Sequence, residues 1–136
     1  MQKIEHIGIA VADIADGEKL YEQLLGVASY KREVVESEGV ITSFFRQGPN
    51  KIELVAPLHA GVGPIAKYLE KRGPGIHHIA YAVTDIVAEM KRLADQGCHL
   101  LNKEPKHGAD NKLVCFVHPK SAGGVLMELC QERQSA

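Results

Sequence analysis

Ile4-Glu5-His6-Ile7-Gly8-Ile9-Ala10-Val11-Ala12-Asp13-Ile14 returns 72 residues later as Ile76-His77-His78-Ile79-Ala80-Tyr81-Ala82-Val83-Thr84-Asp85-Ile86. Seven of the eleven positions are identical, and one of them is a histidine inside an apolar run. A second apolar run closes each copy around an acidic residue, Ile52-Glu53-Leu54-Val55 and then Leu126-Met127-Glu128-Leu129. The step from His to Glu is 47 residues in the first copy and 50 in the second, so the two units match closely. Two imidazoles and two carboxylates on matched strands form the ligand set of a divalent metal.

The grammar around these runs is the same in both copies. Residues 3–12 read as a strand, and Asp13 then reads as a helix N-cap. Ile14, Tyr21, Leu24 and Leu25 are expected on one helix face, with Gly26 as the terminator. In the second copy Asp85 caps, Ile86, Met90, Leu93 and Ala94 form the stripe, and Gly97 ends the helix. Three strands should follow each helix, over 30–35, 40–46 and 51–56, then over 99–106, 112–118 and 125–131. Gly48-Pro49-Asn50 reads as a hairpin turn, and 119–124 as a longer one. The fold class is therefore α+β, two tandem βαβββ modules in one domain. Module one covers 1–57, a connector 58–74 and module two 75–136, with a short helix over 64–71 turning Ile65, Tyr68 and Leu69 inward. A module of this size with one helix leaves a sheet face bare, which the two sheets should bury mutually or curl around a shared cleft.

Side chains alternate along a strand, so His6 shares a face with Gly8 and Ala10, and His78 with Ala80 and Ala82. The bulky residues between them should pack on the helix, which leaves the histidine face lined by small residues. A lone strand histidine is ordinarily a packing residue. A lone carboxylate in an apolar strand is rarer, because burying it unpaired costs roughly several kcal/mol. Both features, twice, at matched positions are poorly explained by packing and well explained by a metal. His77 must face away from His78 and is expected to be structural or a supporting partner. His59, His99 and His107 read as loop or surface residues, and His118 as a turn or cleft-border residue. Cys98, Cys115 and Cys130 are odd in number with no CxxC, so they are expected as core or half-buried thiols without disulfides.

Bulk composition narrows the function class. A net charge of −1 gives no footprint for nucleic acid or an anionic membrane. No apolar run reaches membrane-spanning length, and no signal-like segment opens the chain, so a cytoplasmic protein is expected.

The stretches His6–Val11, 51–58, 75–80 and 118–129 resemble the vicinal oxygen chelate superfamily, which includes glyoxalase I, extradiol dioxygenases and drug-resistance proteins. Within it the chain is most similar to the methylmalonyl-CoA epimerase branch, and the 118–129 stretch is the more specific match. The resemblance implies a U-shaped half-barrel in which His6, Glu53, His78 and Glu128 hold a divalent metal such as Co, Mn or Zn. It implies an acyl-CoA substrate, epimerised at the carbon next to its thioester, and a homodimer. It also points to Glu128 as one base, and the repeat proposes Glu53 as the other. Some members carry Gln at the position of Glu53. At least one has an acidic residue proposed as a base where this chain has Thr42, and the Asp110-Asn111-Lys112 loop departs from a more usual His-Gly-Lys. The alternatives are a glyoxalase I-type lyase acting on a glutathione hemithioacetal and a non-catalytic antibiotic-binding protein. Four intact ligands disfavour the latter, since sequestration does not require them. An extradiol dioxygenase would need open iron positions.

Overall fold

The computed structural model describes residues 1–133. Its first half runs β1 (Lys3–Ala10), α1 (Ile14–Leu25), β2 (Lys31–Val35), β3 (Val40–Gln47) and β4 (Asn50–Pro57). Helix α2 (Pro64–Arg72) follows. The second half runs β5 (Gly75–Ala82), α3 (Ile86–Asp95), β6 (Lys106–Gly108), β7 (Lys112–Val117) and β8 (Met127–Glu132). This is α+β with the βαβββ order twice, as the internal repeat requires.

Two compact units are distinguishable, and their borders fall inside strands. One holds His6–His77; the other holds Met1–Glu5 together with the chain from His78 onward. Strand β1 thus contributes to both. In the latter unit Gln2 donates its backbone N–H to Ala82 O at 2.8 Å, and its side-chain amide to Thr84 at 2.7 Å.

Within the His6–His77 unit the strand order is β2-β3-β4-β1, with β1 parallel to β4 and the other pairs antiparallel. The order β5-β8-β7-β6 in the other unit repeats this, with β5 parallel to β8. The parallel pairs bring the repeated motifs into register. Gly8 lies opposite Glu53, and its repeat counterpart Ala80 lies opposite Glu128. A small residue beside each carboxylate leaves room over the face that the carboxylate shares with a histidine.

The opposite faces carry the helices. Val11, Ile14, Phe45, Leu54 and Ala56 form a buried cluster joined by Ile9, Tyr21, Leu25, Ile41 and Ile52. Val83, Ile86, Met90, Cys115 and Leu129 form its counterpart, joined by Leu93, Leu100, Leu113 and Met127. Asp13 and Asp85 cap their helices by accepting from the backbone N–H of Asp16 and Ala88. Gly26 ends α1 in the left-handed region.

Three local expectations change. Leu24 is 65% exposed, not inward; Gly17 occupies the helix surface against the sheet, where a Cβ would stand 3.0 Å from Val11 Cγ2. A side chain there would crowd Val11 and Leu54, and with glycine at this point the buried face of α1 runs toward Tyr21 and Leu25. Ala94 is exposed, and α3 is capped at Gln96 with Gly97 next at φ 86°. The strand expected over 99–106 shrinks to β6, with Leu100 making an isolated bridge to Val117. Asn102 explains the break, because its side-chain oxygen, not a backbone carbonyl, accepts from Phe116 N–H at 2.9 Å. Pro105 has no N–H to offer a ladder.

Candidate functional site

Each unit buries one imidazole against one carboxylate. In the first, His6 and Glu53 are 5% and 6% exposed, and His6 Nε2 stands 3.6 Å from Glu53 Oε1. In the second, His78 and Glu128 are 3% and 6% exposed, with Nε2 3.2 Å from Oε1. The repeat is therefore a repeat of geometry as well as of residue type. All four ligand candidates read from the sequence lie in these two pairs.

These separations suit ligands of a common metal. Two donors each about 2.1 Å from one ion stand roughly 3.0–3.4 Å apart in octahedral or tetrahedral geometry. The 3.6 Å pair is too long to be an ordinary hydrogen bond and close to that polyhedral edge. Buried imidazole and carboxylate donors are also the types that Zn, Co and Mn accept. The residues present fit a divalent ion.

Further groups complete each face. Cys130 donates its S–H to Glu128 Oε2 at 2.9 Å, so one carboxylate oxygen is held from below while the other faces His78. Phe116 lies opposite Glu128 in the strand register and meets the His78 ring edge-on at 6.0 Å. Phe44 holds the same register position opposite Glu53. Thr42 is buried and donates its hydroxyl to Glu33 O at 3.2 Å, a backbone partner that uses up the hydroxyl proton.

The remaining candidates lie apart from this chemistry. His77 packs edge-on against Tyr68 at 4.9 Å, a structural contact. His118 accepts from Lys120 N–H at 3.0 Å and stacks on His99 at 5.0 Å, a turn role. His59 and His107 are exposed. All three cysteines are thiols outside any disulfide, with Cys115 and Cys130 buried and Cys98 half-buried. Burial pushes the Cys115 thiol up, so it is a packing group on the helix side and no nucleophile.

Two buried charges escaped the sequence reading. Glu5 is buried although its repeat counterpart is His77, so the motif comparison hides it. Lys112 is buried at the start of β7, with Nζ 3.3 Å from Glu132 Oε1. The alternation Lys112, Val114, Phe116 was the available signal.

The family model described as the glyoxalase/bleomycin resistance protein/dioxygenase superfamily matches residues 5–116. The chain belongs to that superfamily. A curated relative from Cereibacter sphaeroides, ethylmalonyl-CoA/methylmalonyl-CoA epimerase, is 41% identical over 95% of this chain and 97% of its own. The crystal structure of methylmalonyl-CoA epimerase from Mycobacterium tuberculosis superposes with a TM-score of 0.91 at 36% identity, covering 97% and 89% of the two chains. A methylmalonyl-CoA epimerase solved in complex with methylmalonyl-CoA and NH4+ superposes at 0.90 and 30% identity, covering 97% and 95%. Superfamily membership accounts for the doubled βαβββ module. In this superfamily member the histidine and glutamate of each module sit on its parallel strand pair.

Proposed function

We propose that this chain is a metal-dependent epimerase that interconverts (2R)- and (2S)-methylmalonyl-CoA. The observation that carries the reading is the buried His–Glu pair present once in each module, in a chain whose near full-length relatives carry that activity's name. His6, Glu53, His78 and Glu128 would together hold one divalent ion; each is a buried residue of a metal-ligating type. The ion would supply positive charge to the oxygen on which negative charge develops when the α-proton leaves.

The chain's own residues do the rest. Inversion removes a proton from one face of the α-carbon and returns one to the other, so two bases are needed. Glu128 serves one face; its Oε2 is oriented by the Cys130 thiol. Glu53, its repeat counterpart, serves the other. Thr42 contributes no base, since a hydroxyl does not ionise near neutrality and this one already donates to Glu33 O. Phe44 and Phe116, the strand-register partners of Glu53 and Glu128, would help keep water from the charge that develops.

Cytoplasmic residence and a homodimer belong to the same proposal. No helix of the described residues is long and apolar enough to cross a membrane.

The test is direct. The protein is stripped of metal, reloaded with Co²⁺, Mn²⁺ or Zn²⁺, and given (2S)-methylmalonyl-CoA. Appearance of the 2R isomer with metal and none after chelation is expected. No interconversion with any of the three metals contradicts the reading.

A further inference from the structure

Lys112 is buried, and in the register of its unit it stands between Gly108 on β6 and Glu132 on β8. Gly108 brings no side chain to it. Glu132 does, with Oε1 3.3 Å from Nζ, yet the Glu132 side chain is 85% exposed and that of Lys112 only 8%. A pair with one partner in solvent is screened and contributes little, whereas burying a charge carries a cost of its own. Pairing with Glu132 is therefore a weak reason to bury a lysine here. The contact does locate the ammonium, since the aliphatic stem lies buried and Nζ emerges where an exposed carboxylate reaches it. Glu132 takes one of the three N–H donors, which leaves others for a second anion.

The lysine lies on the face that carries the His78–Glu128 pair. Side chains alternate along β7, so Lys112, Val114 and Phe116 share a face, and Phe116 is the register partner of Glu128. From Glu128 to Glu132 is four residues of one strand, so Lys112 is set ~13 Å along the sheet from that pair. The hairpin that carries it is well anchored. Asp110 and Asn111 turn it with φ of 59° and 55°, and Asn111 O accepts from Arg133 N–H at 3.2 Å.

We propose that Lys112 binds a phosphate of the CoA tail, so that the nucleotide end of the substrate contributes to its recognition. This rests on the epimerase reading, which puts the acyl end at the carboxylates. Between the thioester sulfur and the diphosphate of CoA lie about a dozen bonds, a reach of roughly 15 Å when extended. A phosphate thus arrives near Lys112 when the thioester is at Glu128. Phosphate oxygens accept strong, charge-assisted N–H bonds, and the loosely held Glu132 side chain can swing into solvent to make way. A pantetheine thioester has no group for Lys112 to hold.

Steady-state epimerisation by the metal-loaded protein tests this with methylmalonyl-CoA and methylmalonyl-pantetheine, which share the reacting end and differ in the phosphates. Lys112→Met keeps an unbranched buried stem. It should raise KM for methylmalonyl-CoA by about tenfold, the loss of one charge-assisted contact, with kcat held and the pantetheine thioester handled as by the parent. Lys112→Arg should restore most of the preference for CoA. Glu132→Gln, which removes the competing carboxylate, should lower KM for methylmalonyl-CoA or leave it alone. Equal losses on both substrates in Lys112→Met, or parental KM on both, overturn the assignment. So does a rise in KM in Glu132→Gln that matches that of Lys112→Met, since a structural pair fails from either side. A parent that epimerises both substrates with the same KM overturns it while leaving the epimerase reading in place. A parent that interconverts neither removes that reading, and this one with it.

Discussion

Glu53 and Glu128 are the residues whose separate duties are open to a clean experiment. Inversion needs both proton transfers, whereas exchange of the α-proton with solvent needs one base. Each single Gln variant should therefore lose epimerisation by at least about a hundredfold, as removal of one acid–base group does. Glu53→Gln should still exchange the α-proton of one stereoisomer, and Glu128→Gln that of the other. Metal content must be followed alongside, since both are proposed ligands and loss of the ion would mimic loss of a base. If Glu53→Gln epimerises at the parental rate, Glu53 is a ligand alone. Thiol chemistry gives a second check at this scale. Cys98 is half-buried while Cys115 and Cys130 are buried, and burial pushes the Cys115 thiol up. Maleimide at neutral pH should modify Cys98 first, as peptide mass mapping would show; early labelling of Cys115 would contradict the packing described.

At the scale of single elements, the tie between α1 and the β2–β3 pair is electrostatic. Arg32 Nε donates to Glu18 at 2.8 Å and Ser43 Oγ donates to the same carboxylate at 2.6 Å. The Arg32 hydrogen bond, and after it that of Ser43, hold the Glu18 carboxyl below its ordinary value against the opposing effect of burial. A lowered folded-state value means the stabilisation is complete above the unfolded glutamate value of about 4.3 and is lost as pH falls through the folded one. Glu18→Gln should therefore cost about 1 kcal/mol at pH 7, Arg32 being half-exposed and screened, and almost nothing in strong acid. Denaturant titrations at the two pH values check this. Gly108 on β6 offers a steric counterpart. A Cβ there would lie 2.9 Å from Val114 Cγ1, a stiff β-branched neighbour, so Gly108→Ala should destabilise by about 1–2 kcal/mol.

Legibility from sequence divides along the same line. Strands and helices carried by a repeated period or by an Asp cap were readable, because local chemistry alone selects them. The four ligand candidates were readable because a buried charge that recurs needs a reason. Gly17 displacing Leu24 and Asn102 breaking a strand were not, since each depends on how closely another element approaches. The register partners of the two carboxylates were hidden for the same reason. Strand register brings Phe44 to Glu53 and Phe116 to Glu128, and no spacing rule announces it.

For the molecule as a whole, metal should act on stability as well as on activity. A ligand that binds the folded state at a hundred times its Kd adds about 2.7 kcal/mol, or roughly 10 °C in Tm for a chain of this size. Chelation should reverse that gain, and His6→Ala or His78→Ala should abolish it; variants that keep full metal occupancy and the full shift would misplace the site. A homodimer is expected as well, and light scattering at micromolar concentration that finds monomer alone would count against it. The central claim is that carboxylates of this chain move the α-proton of methylmalonyl-CoA on and off opposite faces. The measurement closest to it places the metal-loaded protein with one pure stereoisomer in D₂O and follows the α-position by NMR. Deuterium should enter the α-carbon as the stereochemistry scrambles, with metal and not after chelation. An α-proton that persists in metal-loaded protein, in both stereoisomers, would contradict the account.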